Sequence, residues 1–364
     1  MAEPFRRAIG FDVMPQIDDI ARFAFIVGAP RCGTTSLANF LKNHPDVCFP
    51  IMKEPHFFAQ HDLTGLSYRE LVETVETQYL ARFFPHCEGG SQTAADCSVS
   101  YLYAPEQLEP VLRLWPDSRF VITLRDPMEM LPSLHKRLLF LGDETLTRFE
   151  DAWAAVPDRA AGKRIPRKCI EPRWLRYDEA GRYSTYLERL FATVGRERCL
   201  VLLFEDLAAD PVGQYRRIVE FLALRPMEET IELTPRRRSH DVRSIWLQRL
   251  LKRPPKAVRK YLAGPYQRKR ERKLDGESSD GAALHAIFGL RKRLLHWNRI
   301  PARKQSIPLR VQQQIREQFS GEVERLESIL GRDLGHWLQL RPASETATRR
   351  GSSAQLRPSL TAAE

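Results

Sequence analysis

The chain has 364 residues, 43% of them hydrophobic and 28% charged, with a net charge of +11. That length can bury a large core, and the composition excludes a disordered or fibrous chain. No apolar run reaches the roughly 18 to 20 residues of a membrane span, and the excess of positive charge favours anionic partners such as nucleotides, acidic glycans, nucleic acid or anionic lipid. The six cysteines (Cys32, Cys48, Cys87, Cys97, Cys169 and Cys199) are scattered, with no C-x-x-C pair and no metal-ligand spacing. The expectation is reduced, buried thiols in a cytoplasmic protein. The first apolar run, Phe23–Val27, is too short and too deep for a signal peptide.

In chain order, Phe23–Val27 reads as a buried strand that enters a loop bounded by Gly28 and Gly33. Leu37, Phe40 and Leu41 then fall on one helical face. Strand, tight glycine loop and helix start together make a phosphate cradle, because loop N–H groups and the positive helix end converge on an anion. The glycine spacing is that of G-x-x-x-x-G-K-[ST], but Thr34 holds the lysine position and the basic residue is Arg31, inside the loop. Further strands are expected at Arg119–Leu124 and Cys199–Phe204, each followed by a helical pattern. Apolar strands alternating with helices predict an α/β fold with a P-loop-like central parallel β-sheet flanked by helices. Ligands of such sheets bind at the carboxyl ends of the strands, where the loops starting at Gly28 and Arg125 both lie. Asp210-Pro211 opens a helix with Ile218, Phe221 and Leu222 on its apolar stripe. Three consecutive arginines, Arg236–Arg238, break the pattern, and 247–273 is strongly basic. The segment 275–281 reads as a polar linker, and 311–338 as an amphipathic helix with a short second piece ending on Trp337. The organisation expected is a unit over 20–340, with its core at 20–230 and a basic helical extension at 231–340. A disordered tail is expected over 341–364.

Three segments join the loop: Lys53-Glu54-Pro55-His56-Phe57-Phe58, Asp96-Cys97-Ser98-Val99-Ser100-Tyr101, and Arg125-Asp126-Pro127 with Ser133 eight residues after the arginine. With Gly-Ala-Pro-Arg-Cys-Gly-Thr-Thr-Ser-Leu, in this order, they resemble the sulfotransferases that use 3′-phosphoadenosine-5′-phosphosulfate (PAPS), above all the carbohydrate and heparan-sulfate type and its bacterial relatives. The resemblance runs from about Phe23 to Leu224. It implies that Arg31, Cys32, Gly33, Thr34, Thr35 and Ser36 hold the 5′-phosphosulfate and that Arg125 and Ser133 hold the 3′-phosphate. It also implies that Arg31, in the place where the family commonly has lysine, stabilises charge on the departing PAP. Glu54 would be the base toward an acceptor hydroxyl or amine, Lys53 would help hold the sulfuryl group, and His56 is the reserve base. PAPS would be the co-substrate, with no metal cofactor. Two departures stand out. Cys97 occupies the place of a family lysine, and Asp126 follows Arg125 where asparagine is commonest.

Other readings stay open at this point. Phe120–Asp126 also looks like a Walker B strand, which would suit a kinase or NTPase acting on Mg-ATP. The basic 247–273 region would suit a scaffold for acidic glycan or nucleic acid, although no nucleic-acid fold signature is present. Glu54 could simply pair with Lys53, and Arg125 with an acid. The acceptor, a carbohydrate, glycolipid or small metabolite, is not written in any motif, and neither is the oligomeric state.

Overall fold

The computed structural model describes residues 15–87, 92–226, 240–252, 282–301 and 306–341. Arg236–Arg238, the basic run from 253 to 273, the 275–281 linker and the tail from 342 lie outside the described residues. Five strands, β1 (Ile20–Gly28), β2 (Val47–Cys48), β3 (Gln92–Asp96), β4 (Arg119–Leu124) and β5 (Cys199–Leu203), form one sheet in the order β2-β3-β1-β4-β5. Every pairing is parallel. The expected strands are there. β2 and β3 were not expected, because Gln92-Thr-Ala-Ala-Asp96 has no branched aliphatic or aromatic side chain to signal a strand. Its alanines are wholly buried because β1 and β2 flank it on both sides.

Alternation along β1 divides the core between the two faces of the sheet. Phe23, Phe25 and Val27 pack on one side with Phe120, Ile122 and Leu124 of β4, and the Phe25 and Phe120 rings stack with centroids 5.3 Å apart. Ala24 and Ile26 face the other way, against Leu37, Phe40 and Leu41 of α1 (Thr34–Lys42). The chain leaves β1 toward β2 on one side of the sheet and leaves β4 toward β5 on the other. The carboxyl ends of β1 and β4 therefore flank a topological switch point, where open α/β sheets form their crevice.

From β4 the chain enters α2 (Pro127–Leu141), capped by Asp126, whose carboxylate accepts from Met128 N at 2.8 Å. Then follow α3 (Tyr183–Val194), the short α4 (Phe204–Ala209) and α5 (Pro211–Phe221), the last capped by Asp210. A two-stranded antiparallel ribbon, β6 (His240–Val242) with β7 (Arg299–Pro301), brackets the helices α6 (Ile245–Lys252) and α7 (Ala282–Trp297). The terminal helix α8 (Leu309–Leu330) ends at Gly331, in the left-handed conformation, and a turn rather than a second helix leads to Trp337. α8 docks on α3, where Glu322 accepts from Ser184 Oγ at 2.6 Å and Thr185 Oγ1 at 2.8 Å.

One expectation is corrected. Cys48, at the end of β2, forms a disulfide with Cys87, their Cα atoms 5.9 Å apart and the two separated by 39 residues. Ile51 N donates to Phe83 O at 2.9 Å beside it, so the chain after β2 runs along the 81–87 segment. That proximity arises from tertiary packing, which cysteine spacing cannot express. Cys32, Cys97 and Cys199 are free, buried thiols.

A buried ion pair braces the far end of α2. Arg159 Nη2 and Glu144 lie 2.8 Å apart with both side chains shut off from solvent. Glu144 also accepts from Tyr177 Oη at 3.0 Å and from the amides of Thr145 and Leu146. Removing one partner strands the other charge in the core. Glu144→Ala is expected to lower the free energy of unfolding by about 3–5 kcal/mol in urea titrations; a loss below about 1 kcal/mol would show that water reaches the pair.

Candidate active site

The loop from Gly28 to Gly33 leaves β1 and turns into α1. Ala29 N still donates to Thr123 O at 2.7 Å, so the loop starts knitted to β4. Gly33 is the N-cap with φ +93° and offers no side chain to close the helix end. A Cβ there would come within 3.2 Å of the Phe204 ring, so both conformation and space demand glycine. Ser36 and Leu37 amides donate to Gly33 O. The Thr34 and Thr35 amides, in the first turn, have no helical carbonyl to reach. Together with the helix dipole they form an anion-binding end. Thr34 is buried, and Cys32 is fully buried with its thiol 3.4 Å from Pro30 O. Burial pushes the Cys32 thiol up to about 12, against the pull of Arg125 and Arg31. It is an inert packing residue at neutral pH.

Arg31, Arg125 and Ser133, separated by as many as 102 residues, meet on one side of this loop. Arg31 Nε donates to Ser133 Oγ at 3.0 Å, and Arg125 Nη1 donates to Arg31 O at 3.4 Å. α2 supplies the geometry by placing Ser133 back over the loop. The Arg125 guanidinium lies 4.4 Å over the Phe204 ring, its Nε buried without a hydrogen-bond partner. Phe204 thus supports both Gly33 and Arg125.

Two further residues of this site belong to no local motif. Glu129, one turn into α2, accepts from Arg125 Nη2 at 2.7 Å and from Arg341 Nη1 at 2.7 Å. Arg341 Nη2 also reaches Asp126 at 3.0 Å. The backbone of Arg341 is fixed at both ends by Gln312 of α8: its N–H donates to Oε1 at 2.8 Å and its carbonyl accepts from Nε2 at 2.9 Å. Arg341 gives a reason for Asp126, since asparagine there would not offer the guanidinium a charge. Burial raises the Asp126 carboxyl from its ordinary value despite the Met128 amide and Arg341. For Glu129, burial also pushes upward, but the bonds and charges of Arg125 and Arg341 prevail and hold it down at about 2. No spacing rule joins 129 to 341; only the docking of the terminal segment does.

On the other flank of β1, Lys53-Glu54-Pro55-His56 leads into the 57–60 helix. Lys53 and Glu54 are ion-paired, and Glu54 Oε2 lies 3.9 Å from His56 Nε2. His56 N donates to Ser98 Oγ at 2.9 Å, and His56 Nδ1 lies 2.7 Å from Ser100 Oγ. Ser98 in turn donates to the buried Asp96 at 2.6 Å, as do Tyr79 and Tyr101, each at 2.8 Å. Burial raises the Asp96 carboxyl in spite of these donors. Burial lowers His56, outweighing Glu54 and Asp96, so its imidazole is neutral at pH 7. Cys97 is buried among these charges, its thiol raised well above the ordinary value by desolvation first and Asp96 second. The 98–102 turn links the two flanks, since a Cβ on Gly28 would strike Leu102 at 2.8 Å and lie 3.4 Å from Val99 O.

Arg31, Glu54 and His56 have φ of +66°, +60° and +56°. Left-handed backbone costs a residue with a Cβ about 1–2 kcal/mol, and such strain gathers where side chains must be aimed. Half of the six non-glycine residues with positive φ among the described residues thus lie at this crevice.

Residues 24–229 match the family model described as the sulfotransferase family. The chain belongs to this family. It is 28% identical over 209 residues to mouse heparan sulfate glucosamine 3-O-sulfotransferase 3A1, a match that covers 56% of this chain and 46% of the relative. Human carbohydrate sulfotransferase 15 is 23% identical over 257 residues, covering 57% and 45%. The chain thus spans about half the length of these curated relatives. A sulfotransferase from Alicyclobacillus acidocaldarius superposes with a TM-score of 0.54 at 24% identity, over 87% of this chain and 98% of that one. At that identity the likeness is one of fold. The family model spans 24–229, from within β1 to beyond α5, and every crevice residue named above except Arg341 and Gln312 lies within it.

The ion-pair chain makes a measurable demand. A carboxyl depressed in the folded state contributes stability that is fully present above its unfolded value, near 4.3, and is lost as pH falls through about 2. Urea unfolding of the wild type is expected to weaken across that window more steeply than that of Glu129→Gln. Parallel slopes would mean that Glu129 is ordinary.

Proposed function

We propose that this protein transfers the sulfuryl group of PAPS to an acceptor hydroxyl or amine and releases PAP. The observation that carries the reading is the convergence of Arg31, Arg125 and Ser133 beside a helix N-terminus that has a glycine cap. A nucleotide with a 3′-phosphate needs a second anion site a short distance from the first. A guanidinium and a hydroxyl suit a phosphate monoester there. The Arg125–Glu129 pair would open to admit it, Arg341 keeping Glu129 neutralised meanwhile.

The residues then divide the chemistry. The Gly33–Ser36 end and Arg31 would hold the phosphosulfate and stabilise charge on the bridging oxygen as the sulfur–oxygen bond breaks. Arginine presents a planar fork where the family's lysine is a point charge. Glu54 would take the proton from the acceptor as its oxygen or nitrogen bonds to sulfur. Lys53, paired with Glu54, would face the same sulfuryl oxygens. His56, neutral and oriented by Ser98 and Ser100, would hold Glu54 in place and is the alternative proton acceptor. No metal is needed for in-line sulfuryl transfer, which depends on positioning and positive charge. A carbohydrate, glycolipid or small metabolite with a nucleophilic hydroxyl is the acceptor class proposed. The heparan-sulfate relatives motivate the carbohydrate.

Calorimetry with PAP and with ATP, each with Mg²⁺ and with EDTA, separates this reading from a kinase. PAP is expected to bind regardless of metal, and Arg125→Ala to weaken it by about 1.5–3 kcal/mol, roughly ten- to a hundredfold. Glu54→Gln is expected to cost roughly 10²–10⁴ in turnover of labelled PAPS while leaving PAP affinity near wild type. Arg31→Ala should harm both. Binding of Mg-ATP in preference to PAP would overturn the proposal.

A further inference from the structure

The two helices α6 and α7 carry a surface that the crevice chemistry does not use. Trp246 and Leu250, one turn apart on α6, are 73% and 38% exposed. Leu290 and Trp297, two turns apart on α7, are 60% and 58% exposed. These are four of the nine large apolar side chains exposed among the described residues. Each pair falls on a single helical stripe, at i,i+4 and i,i+7. The stripes are neighbours, because the Arg243 guanidinium, three residues before Trp246, lies 5.3 Å over the Trp297 ring.

The helices are held, not frayed. Gln248, on the opposite face of α6 from Trp246, is fully buried and donates to Phe140 O of α2 at 2.7 Å. Buried Asn298 donates to Gln248 Oε1 at 3.1 Å and to Ser244 O at 3.0 Å, and Arg291 Nε donates to Leu251 O at 2.9 Å. The exposed rings and leucines therefore sit on two anchored helices at the end of α2 remote from Arg125.

Charge decides what suits them. Neither 243–252 nor 282–299 contains an aspartate or glutamate. Arg243, Lys292, Arg293 and Arg299 are exposed. The intervening sequence 253–273 is itself strongly basic. We propose that α6 and α7 form a docking surface for an anionic lipid bilayer, Trp246 and Trp297 seating at the headgroup boundary with the basic side chains around them. Tryptophan beside leucine fits the edge of the acyl region, and the cations meet anionic headgroups. A nucleic acid would use the cations and stack on the rings but leave Leu250 and Leu290 in water. The inference does not depend on the sulfuryl-transfer reading.

Cosedimentation of the full chain with vesicles tests it. The protein is expected to pellet with phosphatidylcholine–phosphatidylglycerol vesicles in equal parts, weakly with phosphatidylcholine alone, and less as salt rises. Trp246→Ala with Trp297→Ala, and separately Lys292→Glu with Arg293→Glu, should each lower partitioning roughly tenfold or more. Circular dichroism and melting temperature should stay at wild-type values in both variants. Failure to bind the anionic vesicles, or wild-type binding by both variants, would overturn the proposal. So would a dimer in sedimentation velocity that the tryptophan variant dissociates, which would assign the face to a second copy. Binding of RNA at physiological salt, with anionic vesicles left in the supernatant, would assign it to nucleic acid.

Discussion

The crevice depends on a chain of alternating charges, Arg125–Glu129–Arg341–Asp126. It joins the end of β4, the first turn of α2 and the segment after α8, three parts of the polypeptide that share no local sequence logic. Each charge in it is partly removed from water, where an unpaired ion is expensive and a paired one is directional. The chain therefore does two things at once. It anchors the terminal segment on the core, and it aims Arg125 at Arg31 and the open end of α1. Phe204 completes the arrangement from below, packing against Gly33 while the Arg125 guanidinium lies across its ring.

The opposite flank is built with neutral donors. Asp96 stands at the end of β3 and gathers hydroxyls from Tyr79, Ser98 and Tyr101, and Ser98 passes that order to the backbone of His56. A buried carboxyl with three donors is a rigid fixture, and it holds a segment in which both Glu54 and His56 have left-handed backbone. The disulfide from Cys48 to Cys87 secures the root of the same segment. Two differently constructed flanks thus meet across Gly28, a cationic one around Arg31 and Arg125 and one in which hydroxyl donors to Asp96 fix the backbone of His56.

Much of this was legible in the sequence, and the reason is locality. β1, β4 and β5 announced themselves by apolar runs, α1 and α5 by their stripes, and the anion loop by two glycines and three hydroxyls within nine residues. The candidate residues Arg31, Lys53, Glu54, His56, Arg125 and Ser133 sat in short motifs, so resemblance could find them. β3 escaped because its small side chains acquire burial only from its neighbours. Glu129 and Arg341 escaped because each is an ordinary charged residue until the other arrives.

The sequence by itself determined a parallel α/β sheet with a glycine-bounded loop and a helix N-terminus at its carboxyl edge, since side-chain period, glycine placement and helix polarity act over a few residues. Tertiary structure alone decided which charges face one another, which cysteines pair and which tryptophans remain in water. Those outcomes depend on distances between parts of the chain tens to hundreds of residues apart, and such distances exist only once the core has closed.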